Sequence, residues 1–135
     1  MVHVAPHVSD YMDKSFITLK PDMDVYKAIQ ILLDGKITGA GVVDDREYLV
    51  GILSEKDCLR TLVHGAYSNL PSGKVSDYMT KNPVTIHPDL DVFTVADIFL
   101  NSTFRRLLVV KEGKLVGQIT RRDLLRAIQK IKLTE

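Results

Sequence analysis

Two short stretches of the sequence carry the residue types that could do chemistry. In GQITRRDLLR, Thr120 stands three positions before Asp123, and in GILSEKDCLR, Ser54 stands three positions before Asp57. Each pair lies where an apolar, strand-like run gives way to a helical pattern. A hydroxyl and a carboxylate at this spacing form a capping box at a helix start. The same groups suit a nucleotide, because carboxylates accept ribose hydroxyls and helix N-termini attract phosphate. Spacing alone leaves both interpretations open.

The composition is that of an ordinary globular protein. The chain has 135 residues, of which 45% are hydrophobic and 26% charged, and its formal net charge is +1. This charge gives no reason to expect a nucleic-acid or membrane partner. No apolar run approaches the roughly 20 residues of a membrane span, and the N-terminus lacks the features of a signal peptide. The single cysteine, Cys58, excludes an internal disulfide, and no cysteine spacing indicates a metal. We expect a cytoplasmic protein without a metal site.

The two junctions belong to an internal repeat. VSDYMDKSFITLKPDMDV, residues 8–25, aligns with VSDYMTKNPVTIHPDLDV, residues 75–92. After a gap of one residue near Arg46, LVGILSEKDCLR aligns with LVGQITRRDLLR. About 21 of roughly 52 aligned pairs are identical, which indicates a duplicated unit.

Each copy predicts the element order helix–strand–helix–strand–strand–helix. Ser9 and Ser76 are expected to cap a short first helix. Asp24 and Asp91 stand where the N-cap of an amphipathic helix belongs. The predicted strands are Phe16–Leu19, Gly41–Val43 and Leu49–Leu53 in copy one and Val84–Ile86, Leu107–Val110 and Leu115–Ile119 in copy two, with hairpin turns at Asp45–Glu47 and Gly113–Lys114.

The repeat sets the predicted domain organisation. We expect a first repeat at residues 8–63, a linker at 64–74 that is rich in Gly, Ser, Pro and Asn, and a second repeat at 75–132. A unit of about 60 residues is too small to bury a comfortable core alone. The two copies are therefore expected to bury their exposed sheet faces against each other.

The ordered set of motifs resembles a known family. SDYMTKNPVTIHPDLDV, the apolar GVV and LLVV strands, and the closing G-x-x-[ST]-x-x-D occur in the order typical of the tandem CBS domain pair, named after cystathionine β-synthase. Each motif is weak by itself, but the set occurs twice and covers residues 8–132. The chain is similar to a stand-alone CBS protein of the prokaryotic type.

The resemblance implies a fold and a class of ligand. The implied fold is α+β, with two βαββα repeats packed by a pseudo-twofold axis through their sheets and two clefts at that seam. Such modules commonly bind an adenosyl ligand, namely AMP, ADP, ATP, NAD or S-adenosylmethionine, as an effector and without chemistry on it. No cofactor is required. A homodimer is expected, and because no effector domain is recognised, the resemblance implies an effector protein in trans.

The resemblance also implies site residues in the second repeat. Members of the family use the Asp for ribose and the Ser/Thr for phosphate, while basic residues entering the preceding strand reach the phosphates. An Arg fork pairs with phosphate in bidentate fashion. The matching residues of this sequence are Thr85, Arg105, Arg106, Thr120, Arg122 and Asp123. Arg121 and Arg122 fit a solvated helix face equally well.

The first repeat departs from this pattern. Its matching residues are Thr18, Thr38, Gly39, Ser54 and Asp57. Between Ser54 and Asp57 stand Glu55 and Lys56, where the second repeat has two arginines. We expect this weaker site to be empty or to hold an uncharged or adenosyl-type ligand. Thr18 also fits an ordinary strand residue.

These residues bear on three possible functions. The favoured one is a regulatory module that senses an adenine nucleotide and signals to a partner. The alternative is a dimerisation scaffold whose clefts are vestigial. An enzyme is not expected, since the sequence offers no Ser-His-Asp set, no phosphate-binding glycine loop and no metal cluster.

Overall fold

The chain folds into two compact units. The computed structural model describes residues 5–67 and 73–134, so part of the predicted linker, residues 68–72, lies outside the described residues. We call Ile17–Pro83 the first-repeat unit, and Met1–Phe16 together with Val84–Glu135 the second-repeat unit. Both units combine helices with a mixed sheet, so the predicted α+β class is confirmed.

The first-repeat unit contains a four-stranded sheet in the order β1-β2-β3-β4. β1 runs parallel to β2, and the other neighbours are antiparallel. The strands are β1 (Thr18–Leu19), β2 (Gly39–Val43), β3 (Leu49–Ser54) and β4 (Thr80–Lys81), and the helices are α1 (Val25–Gly35), α2 (Glu55–Tyr67) and α3 (Val75–Tyr78). The buried core is apolar and includes Leu19, Val25, Ala28, Leu32, Val42, Leu53, Val75 and Tyr78.

The second-repeat unit contains a three-stranded sheet in the order β5-β6-β7. Again the first pair is parallel and the second is antiparallel. The elements are a 3₁₀ turn (Val8–Asp10), β5 (Thr85–Ile86), α4 (Val92–Leu100), β6 (Arg106–Lys111), β7 (Lys114–Thr120) and α5 (Arg121–Thr134). Its core includes Val8, Ile86, Val92, Val95, Phe99, Leu107, Val109, Ile119, Leu124 and Ala127.

Two of the four predicted helix caps are confirmed, and two are wrong. Asp24 accepts a hydrogen bond from the Lys27 N–H at 3.1 Å, and Asp91 accepts one from the Thr94 N–H at 2.9 Å. Both predicted N-caps are therefore confirmed. The predicted caps Ser9 and Ser76 are wrong, because each lies one residue inside its helical turn. Those turns are closed instead by Asp10 and Asp77, which accept from the N–H groups of His7 and Lys74 at 3.0 and 2.9 Å.

The turn of the second hairpin is shifted by one residue from the prediction. Lys111 pairs with Lys114, so the two turn residues are Glu112 and Gly113. Both have positive φ, 52° and 82°. Two positive φ values in succession characterise a type I′ turn, which matches the twist of a two-residue hairpin and favours glycine.

The leading segments of the two repeats, residues 8–13 and 75–80, are exchanged. Each packs against the sheet of the other repeat. Asp13 exchanges backbone hydrogen bonds with Gln118, at 2.8 and 3.0 Å. In the same way Thr80 of β4 pairs with Ile52 of β3. Neither the short strand β4 nor this exchange was predicted from the sequence.

Glycine is required where each leading segment crosses the sheet. A Cβ on Gly117 would lie 2.5 Å from Met12 Sδ, and a Cβ on Gly51 would lie 2.7 Å from Met79 Sδ. Such separations are well inside van der Waals contact, so a side chain at either glycine displaces a methionine. This packing explains the glycine that opens G-x-x-[ST]-x-x-D.

We predict that Gly117→Ala lowers the free energy of unfolding by roughly 1–3 kcal/mol, because it overpacks against Met12. Combining it with Met12→Ala should recover part of this loss, as a coupling of about 0.5 kcal/mol or more. Urea denaturation of both single variants and the double variant measures this coupling.

Met79→Ala is the matched control for that cycle. It removes the equivalent methionine from the first-repeat unit, so its effect should add to that of Gly117→Ala. Coupling of Gly117 to Met79 in place of Met12 would contradict the exchange of leading segments.

The Asp91 cap makes the stability of the protein depend on pH. Backbone and side-chain hydrogen bonds from Thr94 hold the pKa of Asp91 below its ordinary value of 3.8. Because this pKa is lower in the folded than in the unfolded protein, the ionised Asp91 cap stabilises the fold fully above the unfolded-state pKa. This stabilisation is lost as the pH falls through the folded-state pKa. Asp91→Asn keeps an acceptor but does not titrate. The difference in melting temperature between the wild type and Asp91→Asn should stay constant at neutral pH and shrink below about pH 4. A difference that persists unchanged at lower pH would contradict this.

Candidate functional site

The Thr120–Asp123 pair forms the capping box of α5. Asp123 Oδ2 accepts from the Thr120 N–H at 2.8 Å and from the Thr120 hydroxyl at 3.0 Å. In return the Asp123 N–H donates to Thr120 Oγ1 at 3.4 Å. The structural interpretation of this motif is thus realised in the structure.

Asp123 is also buried and paired with an arginine. Only 4% of the residue is exposed, and its Oδ1 accepts from Arg126 one helical turn later. Among the part of the chain that the structure describes, Asp123 has three hydrogen-bond donors. A carboxylate has about four acceptor positions, so one position on Oδ1 is open.

The Ser54–Asp57 pair forms the equivalent box of α2. Asp57 Oδ2 accepts from the N–H and the hydroxyl of Ser54, both at 2.9 Å, and Oδ1 accepts from Arg60 at 2.9 Å. Thr80 of β4 adds a fourth donor, with its hydroxyl 3.2 Å from Oδ1 and 3.4 Å from Oδ2. Asp57 is 3% exposed.

One face of the second-repeat sheet gathers three of the predicted residues. Thr120 of β7 lies directly opposite Arg106 of β6, and Thr85 of β5 pairs with Leu108 of β6. Because side chains alternate along a strand, Thr85, Arg106 and Thr120 share the face opposite the one that carries Leu107 and Ile119. The sheet therefore brings these three together.

A basic cleft lies at the N-terminal end of α5. Its volume is about 660 Å³, which is within the usual range of small-molecule sites. The lining residues are Ser102, Thr103, Arg105, Thr120, Arg121 and Arg122. Arg121 donates to the Phe104 carbonyl at 3.3 Å, whereas no hydrogen bond or ion pair of Arg105 or Arg122 is found within the described residues. Three cations and three hydroxyl groups therefore line one space whose described lining contains no carboxylate.

Two of the cleft residues were missed by the sequence analysis. Ser102 and Thr103 lie in the loop between α4 and β6, where the first repeat has Gly35 and Lys36. A Ser-Thr pair in a loop carries no sequence signal of its own. Its position two residues before Arg105 was the available hint.

A smaller cleft includes Asp123 in its lining and shares Thr120 and Arg122 with the basic cleft. Its volume is about 360 Å³, and it is lined by Tyr11, Met12, Asp13, Gln118, Thr120, Arg122, Asp123 and Arg126. The first three belong to the exchanged leading segment. No sequence pattern placed them beside Asp123, because the exchange itself was not predicted.

The first-repeat candidates lie at the equivalent positions but lack the arginines of the second repeat. Gly39 lies opposite Ser54, and Thr18 pairs with Gly41. Thr38 accepts from the Glu55 N–H through its backbone carbonyl, at 2.9 Å. The acidic side chain of Glu55 stands where Arg121 stands in the second repeat, so this site offers little attraction to phosphate.

Cys58 follows Asp57 on α2. Burial raises the pKa of the Cys58 thiol, and the carboxylates of Asp57 and Glu55 raise it further. The nucleophilic species is the thiolate, so this environment suppresses the reactivity of the thiol. The structure thus gives Cys58 a packing role.

The described residues offer neither a metal site nor a membrane-spanning helix. Residues 5–67 and 73–134 contain no group of three or more His, Cys, Asp or Glu side chains arranged to hold a metal ion. Over the same ranges no helix has the length and apolar character needed to cross a membrane.

The chain was compared with known protein families and relatives. A family model described as "CBS domain" matches residues 8–64 and 75–130. An uncharacterised protein of Methanocaldococcus jannaschii is 33% identical over 121 residues, which are 90% of this chain and 42% of that protein. An uncharacterised 17.7 kDa protein of Acidianus ambivalens is 31% identical, over 93% of this chain and 74% of that protein. The chain thus spans less than half of the first relative and about three quarters of the second.

Two solved structures add ligands to the comparison. The structure of CBSX2 in complex with AMP superposes with a TM-score of 0.81 at 33% identity, over 93% of this chain and 98% of that chain; CBSX2 is a chloroplastic CBS domain-containing protein of Arabidopsis thaliana. The CBS domain pair of protein MJ0100, in complex with 5′-methylthioadenosine and S-adenosylmethionine, superposes with a TM-score of 0.76 at 26% identity, over 95% and 99% of the two chains.

We predict that Asp123→Ala lowers the free energy of unfolding by about 1–2 kcal/mol, as for a lost capping residue. Asp57→Ala should cost about 1 kcal/mol more, because it also removes the hydrogen bond from the Thr80 hydroxyl to a charged acceptor. Urea denaturation measures both. Asp22→Ala, which removes an exposed carboxylate outside either box, is the control and should change stability by no more than about 0.5 kcal/mol. Equal losses in the three variants would refute a structural role for the boxes.

Proposed function

Because the chain belongs to the CBS domain family, we propose that it is a regulatory module that binds an adenosyl ligand in its second-repeat unit and signals to a partner protein in trans. The fold and the AMP, methylthioadenosine and S-adenosylmethionine complexes of its structural neighbours support the class of ligand. The module binds its effector without transforming it.

The basic cleft beside the Thr120–Asp123 junction is the observation that carries this proposal. Its three arginines match the charge of a nucleotide phosphate, and Thr120 connects that cleft to the ribose-binding candidate Asp123. Arginine forks hold phosphate oxygens in bidentate pairs. The junction therefore offers separate places for the phosphate and for the ribose.

Each predicted residue of the second repeat has a role in this arrangement. Arg105 and Arg122 line the phosphate cleft, and Arg106 lies opposite Thr120 on the neighbouring strand. Thr120 presents its hydroxyl at the N-terminus of α5, where free N–H groups favour an anion. Thr85 is on the same sheet face as Arg106, and its role in the proposal is to contact the adenine end of the ligand.

Ribose recognition must accommodate the capping box. Asp123 Oδ2 is occupied by Thr120, so a ribose hydroxyl has the open position on Oδ1. A second position becomes available if Arg126 turns away, and the Arg126 side chain is 62% exposed. The capping and ligand roles of Asp123 are thus compatible, since they use different oxygen atoms.

The first-repeat set is a weaker second site. This set repeats the junction, but two of the four arginines are replaced by neutral residues, one by Glu55 and one by Lys56. An uncharged nucleoside or a sulfonium-type adenosyl ligand fits this site better than a nucleotide does, because Glu55 repels phosphate.

Signalling requires a surface that a partner or second copy can sense. Helices α2 and α5 expose apolar side chains that suit a homodimer contact: Leu59, Leu62, Leu125 and Ile128 are 58–72% exposed. A ligand that binds one arrangement of such an assembly more tightly shifts the population towards it. The same exposed side chains favour the alternative function, a dimerisation scaffold that needs no ligand.

A melting curve with a panel of ligands separates the two functions. We expect a rise in melting temperature with millimolar AMP, ADP, ATP, NAD or S-adenosylmethionine, because a ligand at a hundred times its dissociation constant stabilises by about 2.7 kcal/mol. For a chain of this size the rise is roughly 5–15 °C. GMP is the control for base recognition. No rise with any adenosyl ligand would favour the scaffold.

We also predict that Arg106→Ala weakens binding of AMP more than binding of adenosine, because only AMP carries the phosphate. Isothermal titration of both ligands against the wild type and the variant measures this difference. Arg46→Ala, which removes an exposed arginine in the first-repeat unit, should change neither affinity. Equal weakening of AMP and adenosine by Arg106→Ala would remove the phosphate role.

A further inference from the structure

The two capping boxes differ at one position of the exchanged leading segments. Thr80 stands beside the first box and Asp13 stands beside the second. The two positions are equivalent, because Thr80 pairs with Ile52 and Asp13 pairs with Gln118, and each of these partners lies two residues before its junction hydroxyl. One repeat therefore places a hydrogen-bond donor where the other places a second carboxylate.

The hydroxyl of Thr80 completes the hydrogen bonding of Asp57. The N–H and hydroxyl of Ser54 occupy Oδ2, Arg60 occupies one position on Oδ1, and Thr80 lies 3.2 Å from Oδ1. These four donors match the four acceptor positions of a carboxylate. A ribose hydroxyl that reaches Asp57 must displace one of them.

Asp13 leaves the corresponding position of Asp123 open. An ionised carboxylate has no hydrogen to donate, and Asp13 Oδ1 itself accepts from the N–H and the hydroxyl of Ser15, at 2.9 and 3.2 Å. Over the described ranges, Asp123 Oδ1 accepts only from Arg126. Asp13 and Asp123 both line the smaller cleft of about 360 Å³, so Asp123 borders a space large enough for a sugar.

We propose that the residue at this position decides which repeat accepts a ribose. Thr80 weakens ribose binding at the first-repeat site, because it donates to Asp57 in place of a ribose hydroxyl, and Asp13 leaves the second-repeat site open. The ligand class is a nucleoside or nucleotide with free 2′ and 3′ hydroxyls. The inference rests on the proposed function and adds a residue that determines where its ligand binds.

The two carboxylates differ in what a ribose hydroxyl gains by binding them. A ribose hydroxyl that binds Asp123 makes a new bond to a buried charged acceptor, whereas one that binds Asp57 replaces an existing bond from Thr80. Exchange of one hydroxyl donor for another brings little net free energy, while a new bond to a charged group is among the stronger ones in proteins.

Binding at the first repeat is tested in a background that disables the second site, Asp123→Asn. Adding Thr80→Val to this background removes the donor at nearly constant shape, and we expect adenosine to bind about tenfold more tightly in isothermal titration. Adding Thr80→Ser keeps a hydroxyl and should leave the affinity unchanged. Unchanged affinity with Thr80→Val, in a variant whose circular dichroism and melting show a folded chain, overturns the proposal.

The reciprocal change tests the second repeat with neutral probes. Asp13→Thr introduces the donor beside Asp123, and we expect it to weaken adenosine binding about tenfold while leaving 2′,3′-dideoxyadenosine nearly unaffected. Adenosine avoids the separate effect of the lost charge on phosphate. Equal effects on the two nucleosides would show that position 13 does not act through the ribose hydroxyls and would overturn the proposal.

The two proposals fail in different ways. If wild-type protein binds no adenosyl ligand, the proposed function of the second repeat fails. Adenosine binding that then emerges with Thr80→Val still supports a gate at Asp57, and its absence overturns the gate. If wild-type protein binds one adenosine per chain and Thr80→Val adds no second site, the function stands and the gate falls.

Discussion

A buried carboxylate at each strand–helix junction is the constraint on which the rest of the structure depends. Asp57 and Asp123 are 3% and 4% exposed, and a charge removed from water to this degree must be matched by donors. The junction hydroxyl, the junction N–H and an arginine one turn later supply them in both repeats. The strand end and helix start are therefore fixed relative to each other by one side chain.

The exchanged leading segments complete this junction from the other side. Each crosses its sheet at a glycine, Gly51 or Gly117, because the methionine of the segment fills the space that a Cβ would take. The next residue of the segment, Thr80 or Asp13, then lies beside the buried carboxylate. A contact made for packing thus positions the residue on which the hydrogen bonding of the carboxylate depends.

Much of the fold could be predicted from local rules, whereas the exchange could not. The caps Asp24 and Asp91 follow from residue type and spacing, and so do the two capping boxes. The leading segments share VSDYM and both sheets offer the same glycine, so the sequence does not say which segment packs on which sheet. Asp57 and Thr80 are 23 positions apart, and only that choice of partner brings them together. The placement of the proposed ligand residues around Thr120 stays a prediction.

The divergence of the two junctions points to a difference in what they do. The first has Thr38, Gly39, Glu55 and Lys56 where the second has Arg105, Arg106, Arg121 and Arg122, so four positions that sum to zero charge in one repeat sum to +4 in the other. Like charges closer than about 8 Å are poorly screened at physiological ionic strength, and three of these arginines line one cleft. The cleft therefore gathers positive charge that an anionic ligand would neutralise. An anion bound there would therefore stabilise the strand–helix junction of the second repeat more than that of the first.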